Sequence, residues 1–366
     1  MTKISRTTDM TQGSEMRHII MFSLPLLAGN LLQQTYNIVD TMVVGRYLGD
    51  DALAAVGATG SITYLFYTLC IGLSVGAGII VAQYFGAGKK KALRSAVFNS
   101  ALVTAIFGIV ISLLSVPAAR PIMELLKVPD KLIGDSAVYM QIACGGTIAV
   151  AAYNWINAIM RALGDSKTPL IFLGAASLLN ALLDLLFVVV FKFGIAGAAW
   201  ATVLTQALSA ISCIVYCFAV SGEIKLTADD LHADKDMMSR CVKTGVPIAI
   251  QNGLISVSMV ALQRVTNGFG ETVMAAYTVS MRIEQFVQQP FSSLNAAVST
   301  FTGQNIGAGK EKRAQKGLAC AIKISVIFSA VVLVLFALFG GAITSWFVKG
   351  KTVISISEKA LIITSL

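Results

Sequence analysis

The stretch AQYFGAGKKKALRSA at residues 82–96 returns 221 residues later as GQNIGAGKEKRAQKG at 303–317. At the same offset LGDDALAAV (48–56) returns as FGETVMAAY (269–277), and Pro25 returns as Pro247 with a one-residue slip. Self-similarity at a fixed spacing marks a duplicated structural unit. Each copy sits between long apolar runs, so the repeated unit is a span, a loop and a span. Six spans separate the two copies. Six is even, so both copies cross in the same sense, and both GAGK loops fall on one side. The repeat therefore predicts two parallel six-helix lobes related by an axis along the membrane normal, an arrangement used by secondary transporters. Twice the 221-residue offset exceeds the 366 residues of the chain, so the second lobe is expected to be incomplete within it.

Composition agrees with membrane residence. Apolar residues make up 56% of the chain and charged ones 13%, which leaves too few polar faces for a large soluble core. An all-α polytopic protein follows, because about 20 apolar residues cross ~30 Å of hydrocarbon as a helix. Spans are read at 18–44, 53–82, 95–116, 134–160, 169–191, 195–220, 240–265, 273–301 and 318–347, with another starting at 352. This gives an N-terminal lobe at 1–221, a connector at 222–239 and a partial C-terminal lobe at 240–366. The net charge of +9 resides in connectors, so it reads as topology rather than nucleic-acid binding. Lys89, Lys90, Lys91 and Arg94 fill one connector, and Lys310, Lys312, Arg313 and Lys316 its repeat. Under the positive-inside rule those loops and the N-terminus are cytoplasmic, in the plasma membrane. The six cysteines are scattered without a CxxC and read as small core residues. Neither GAGK loop is a phosphate-binding loop: Gln83 stands where the first glycine belongs, and no Ser or Thr follows Lys89. No nucleophile-base pair or metal-ligand cluster stands out, so neither an enzyme nor a cofactor or metal is expected.

The first span is unusually polar. In NLLQQTYNIVDT (30–41), Asn30, Gln33, Gln34, Asn37, Asp40 and Thr41 share one arc at 100° per residue, opposite Leu31, Leu32, Ile38, Val39 and Met42. A carboxylate in hydrocarbon costs at least ~2.5 kcal/mol, so the arc must face a cavity or partner helices. The fifth span supplies a second acid, Asp184, with Asn180 one turn before it. The fourth contributes Tyr139, Asn154 and Asn157, the sixth Thr202 and Gln206. Two carboxylates enclosed in one lobe should not both ionise, which is the chemistry of a proton relay. With hydroxyl and amide oxygens added, the same cluster suits Na⁺. Glu284 in the eighth span is a third intramembrane acid, read as structural or cavity-lining rather than as the coupling site.

These residues carry a resemblance. The series from Pro25 through YNIVDTMVVGRYLG (36–49), ALAAVG (52–57), the two Q-x-x-G-A-G-K segments and RALGDSKTP (161–169) resembles the multidrug and toxic compound extrusion (MATE) transporters over essentially the whole chain. The resemblance implies a twelve-helix antiporter that exports small amphipathic, often cationic compounds against H⁺ or Na⁺, as a monomer bathed in lipid. Within the family the N-terminal lobe looks like the DNA-damage-inducible (DinF-like) branch. There, Asp40, Asn180, Asp184 and Thr202 would couple the cation, and Gln34, Asn154 and Asn157 would line the cavity. Pro25 would be the point where helix 1 bends. Gln251 and Asn252 stand where another branch carries a cation-binding glutamate, and its partner acid on helix 10 is expected beyond Leu366. The rival within transport is a lipid-linked or polysaccharide flippase, which would want a basic cavity instead.

Overall fold

The computed structural model describes residues 7–220, 224–227 and 230–365. Among them the chain is helical throughout: α1 Glu15–Leu48, α2 Asp50–Gly86, α3 Lys90–Leu125, α4 Asp130–Gly145, α5 Thr147–Ala162, α6 Lys167–Asp184, α7 Gly194–Val220, α8 Lys235–Asn267, α9 Glu271–Gly307, α10 Glu311–Ser345 and α11 Lys351–Thr364. Every span read from the sequence is present. Six helices are long and apolar enough to cross a membrane, and α4 with α5 forms a seventh span bent by 43°. The bend falls at Gly146, where no side chain opposes the break and the α5 backbone restarts. Two helices exceed 30 residues yet miss the apolarity threshold. They are α1 and α9, which carry Asp40 and Glu284 among several amide side chains. The connector is shorter than expected, because α8 begins at Lys235. Asp234 caps it by accepting from the N–H groups of Asp236 and Met237.

The duplication read from sequence recurs in atomic detail. Ser136 donates to the carbonyl of Ala55 at 3.2 Å, and Ser357, 221 residues on, donates to that of Ala276 at 3.0 Å. Gly49 and Gly270 start α2 and α9 at φ 86° and 88°, a conformation that only glycine adopts without strain. All loops that carry the GAGK segments lie at one end, called here the basic end. The other, far end holds the turns at 49, 126–129, 191–193 and 268–270.

The two lobes meet along α2 with α8 and α9, and α1 with α9. Lipid gives helices no hydrophobic reason to associate, so close packing of small residues has to do it. Gly76 lies against Gly245, and Gly72 against Ala249, so closely that a Cβ on either α2 glycine would overlap the α8 backbone. At the basic end the contact is reciprocal. Gly86 packs on the backbone of Gln304, and Gly307 on that of Gln83. Around this crossing Met10, Ile19, Phe22, Leu294, Ala297 and Phe301 form a buried apolar cluster.

The connector is docked on the first lobe. Asn99 accepts from the Asp234 N–H at 2.8 Å and donates to the His232 carbonyl at 3.3 Å. Asp230 accepts from the Thr227 hydroxyl and N–H at 2.7 and 2.9 Å, with Arg94 at 3.8 Å. Those bonds from Thr227, helped by the Arg94 charge, hold the Asp230 carboxyl below its usual range. A depressed carboxyl contributes at neutral pH and is lost only as pH falls through its folded value. The Asp230–Thr227 bonds are therefore kept across the physiological range.

The crossing makes a direct prediction. Gly86→Ala or Gly307→Ala forces backbone apart and should each lower stability by about 1–3 kcal/mol, the usual cost of overpacking. Because both act at one crossing, the double variant should lose less than the sum. Thermal unfolding in detergent measures both, and unchanged midpoints would refute the crossing.

Candidate cation-coupling and substrate site

The polar arc of α1 divides once the helices pack. Asn30 points to the second lobe, where its Nδ2 donates to the Ser293 hydroxyl of α9 at 3.0 Å. Asn37, seven residues on, shares that face and is exposed. Gln34 is half-buried. Gln33, Tyr36 and Asp40 look into the first lobe instead. There the carboxyl groups of Asp40 and Asp184 lie side by side.

No hydrogen bond reaches most of the oxygens of this pair. Asp184 is fully buried and Asn180 is 1% exposed. Among the described residues, both oxygens of Asp184, Oδ1 of Asp40 and both amide atoms of Asn180 have no partner. A buried carboxylate left without a donor is among the most costly arrangements in a protein. Several buried polar groups elsewhere in the same lobe are satisfied. Trp155 donates to the Ser100 hydroxyl at 2.9 Å, Asn154 donates to the Val150 carbonyl at 2.8 Å, and Tyr67 donates to the Ala143 carbonyl at 3.0 Å. The unpaired atoms gather at the acids and the column beneath them, with Thr63 Oγ1 and Arg94 Nε further ones in this lobe. Two carboxyls in contact become mutual partners only when one proton is shared between them, or when a cation bridges their oxygens. Asp184 is also the last α-helical residue before a π-helical turn, Leu185–Val190, and such turns are frequent at functional sites.

A small cavity of about 20 Å³ continues from the pair towards the basic end. Its polar lining is Gln33, Tyr36, Tyr153, Ser177, Thr205, Gln206 and Ser209. That volume holds one water, and the unpartnered Thr205 hydroxyl and Gln206 Oε1 would bond it. Thr202 sits beside the Tyr36 hydroxyl, and Tyr139 packs near Asp40. Asn157 is buried next to Tyr153 with its carbonyl oxygen unpartnered.

The structure therefore gathers Asp40, Asp184, Asn180, Thr202, Tyr139, Asn157 and Gln206 into one lobe, while Asn30 and Asn37 face elsewhere. Pro25 lies mid-helix in an unbroken α1, as Pro247 does in α8. Glu284 belongs to the second lobe. It borders a cavity of about 420 Å³ with Phe291, Phe336 and Thr364, and another of about 790 Å³ with Gln251 and Met281. The described part of the tenth span carries an acid of its own: Glu358 lies within α11, packed against Gly340 and Gly341 of α10. Tyr36 was not singled out in the sequence, although it is the i−4 neighbour of Asp40 and so shares its face.

Stability separates these groups from structural ones. Asn180→Leu and Thr205→Val remove unsatisfied polar atoms and should leave the thermal midpoint unchanged or raised. Trp155→Phe strips a buried partner from Ser100 and should cost about 1–3 kcal/mol. Equal losses in all three would show that the site atoms do have partners.

The MatE family profile matches residues 25–186 and 247–366, one match in each lobe. The chain is 31% identical over 365 residues to the probable multidrug resistance protein YoeA of Bacillus subtilis, covering 98% of this chain and 79% of that protein. It is 31% identical over 307 residues to YpnP, another probable multidrug resistance protein of B. subtilis, covering 83% and 68%. In fold it is similar to a MOP superfamily transporter from Pyrococcus furiosus, with a TM-score of 0.88, 24% identity, and 98% and 80% of the two chains covered.

Proposed function

Because the chain belongs to the MatE family, a family of transporters rather than enzymes, we propose that it exports small organic compounds across the membrane by cation-coupled antiport. The observation that supports coupling is the buried Asp40–Asp184 contact whose oxygens are largely without a hydrogen bond. Such a contact binds a proton or cation in one packing of the lobe and releases it in another, which is the differential binding that coupling requires. H⁺ is the coupling ion in this reading, since a shared proton satisfies both carboxyls at once. Asn180 and Thr202 complete the site, and a Na⁺ ion would use the same oxygens. The placement of Asp40, Asn180, Asp184 and Thr202 in one lobe supports kinship with the DinF-like branch.

The substrates are small amphipathic cations, lodged between the lobes where Gln34 and Asn37 offer amides. The lobes touch through the Gly76–Gly245 and Gly86–Gln304 contacts towards the basic end, so entry and exit alternate by parting that end and the far end in turn. We assign the basic end to the cytoplasm and the protein to the plasma membrane, on the lysine-rich loops gathered there. The lobe boundary falls in the connector between α7 and α8, and a single chain in lipid is the working unit.

Efflux of ethidium from cells expressing the protein tests this. Wild type should export, a protonophore should stop it, and Asp40→Asn or Asp184→Asn should each reduce the rate at least tenfold at equal protein levels. Export that survives the protonophore but follows an imposed Na⁺ gradient would replace H⁺ by Na⁺. Normal export by both variants would remove the pair from coupling.

A further inference from the structure

Residues 7–14 precede α1 and lie between the two lobes at the basic end. On the first-lobe side, the backbone of Thr8 packs on Gly164 in the α5–α6 turn, where any side chain would overlap it. On the second-lobe side the strap is held by four residues. The Met10 N–H donates to Gln304 Oε1 at 2.9 Å, and Asn305 Nδ2 donates to the Met10 carbonyl at 3.2 Å. Lys310 Nζ donates to the Thr11 carbonyl at 2.9 Å. The Arg313 guanidinium donates to the carbonyls of Met10, Gln12 and Gly13 at 2.7–3.3 Å and pairs with Glu15 at 3.2 Å. Arg313 also lies over the Phe301 ring, 5.3 Å from its centre. Gln304 is fully buried, and its Nε2 reaches across to the Ala162 carbonyl of α5 at 2.9 Å. One α9 side chain thus joins the strap to the first lobe.

The repeat shows what is particular here. Gln304 has its counterpart in Gln83, but Arg313 corresponds to Ala92 and Asn305 to Tyr84. The arginine fork is not part of the duplicated architecture. Its use is therefore sought in something the two lobes do not share.

We propose that residues 7–14 form a gating clasp, with Arg313 and Gln304 as its positioning residues, that keeps the basic end shut and must yield before that end opens. The inference rests on the alternating-access reading above. The strap bonds mainly to the second lobe but runs on into α1, which packs against α6 and α7 of the first. It is a tether across the interface. When the lobes part, either the Arg313 fork lets go of three carbonyls, or α1 gives way between the strap and its body. Pro25 is the place for that, since it has no N–H to close a helical bond. An arginine fork fits this task better than a lysine, because its planar donors fix several carbonyls at once.

Double electron–electron resonance on the full chain in nanodiscs tests the clasp. Spin labels at Lys89 and Lys312 report the basic end, and labels at Tyr47 and Phe269 the far end, with native cysteines replaced. Arg313→Ala and deletion of residues 2–12 should each raise the long-distance population at the basic end about tenfold, as the loss of a charged hydrogen-bond cluster implies. The far-end distance should shorten in step, and Arg313→Lys should be intermediate. Lengthening at the basic end without far-end closure would mean loosening, not gating, and overturns the clasp. Populations that shift between pH 5 and pH 8 but ignore Arg313 and the strap overturn the clasp alone. A single population in every variant and at both pH values overturns alternating access, and the clasp with it.

Discussion

Everything in this architecture hangs on how closely two backbones approach at the α2–α9 crossing. Gly86 against Gln304 and Gly307 against Gln83 leave no room for a side chain on either glycine. In lipid, where apolar burial supplies no drive between helices, that contact and the glycine pairs of α2 and α8 are what draws the lobes together. The consequence is a bistable rather than a sticky interface. A joint built from small residues has good packing only at full contact, so it is either closed or open, and little is stabilised in between.

The same constraint explains where polarity is placed. At the basic end most of the groups that seal the crossing find partners: Gln304 to Met10 and Ala162, Asn99 to Asp234 and His232, Arg313 to the strap, with Asn305 Oδ1 left unpaired. In the far half of the first lobe the pattern inverts, and Asp40, Asp184 and Asn180 retain unpaired atoms in a dry setting. Natural proteins keep few such atoms, so their clustering on two helices marks a function rather than a packing accident.

Much of this was legible in the chain alone. The 221-residue repeat carried the two lobes, because duplicated loops must obey the same turn geometry, down to Gly49 and Gly270. Asp40, Asn180 and Asp184 stood out because charge in an apolar run has no bland explanation. Other features left no mark. Tyr36 reads as one more aromatic until its neighbours are known. The π-helical turn after Asp184 lies in an unremarkable LLFVVV run. The strap at 7–14 is merely polar sequence, and its partners lie some 300 residues away, where no local pattern can point to them. Glu358 falls in SISEKALIIT, within the span read from residue 352, but its packing on Gly340 and Gly341 left no mark in the sequence.

One helix touches each of these features, and that is an argument about mechanism. From its start, α1 is clasped through Glu15 by Arg313, carries Pro25, meets α9 through Asn30, and ends its polar face at Asp40 beside Asp184. A proton that changes the Asp40–Asp184 contact acts on the far half of α1. The strap fixes the near half to the second lobe. Strain between the two halves collects where the helix resists least, at the proline that lacks an N–H. In the proposed cycle α1 is therefore the two-state element that both ends bias, which is the physical form a coupling between distant sites has to take. A rigid α1 would carry the change straight to the clasp, and a hinge at Pro25 would absorb it. The balance between those two outcomes sets how tightly the cation site and the gate are coupled.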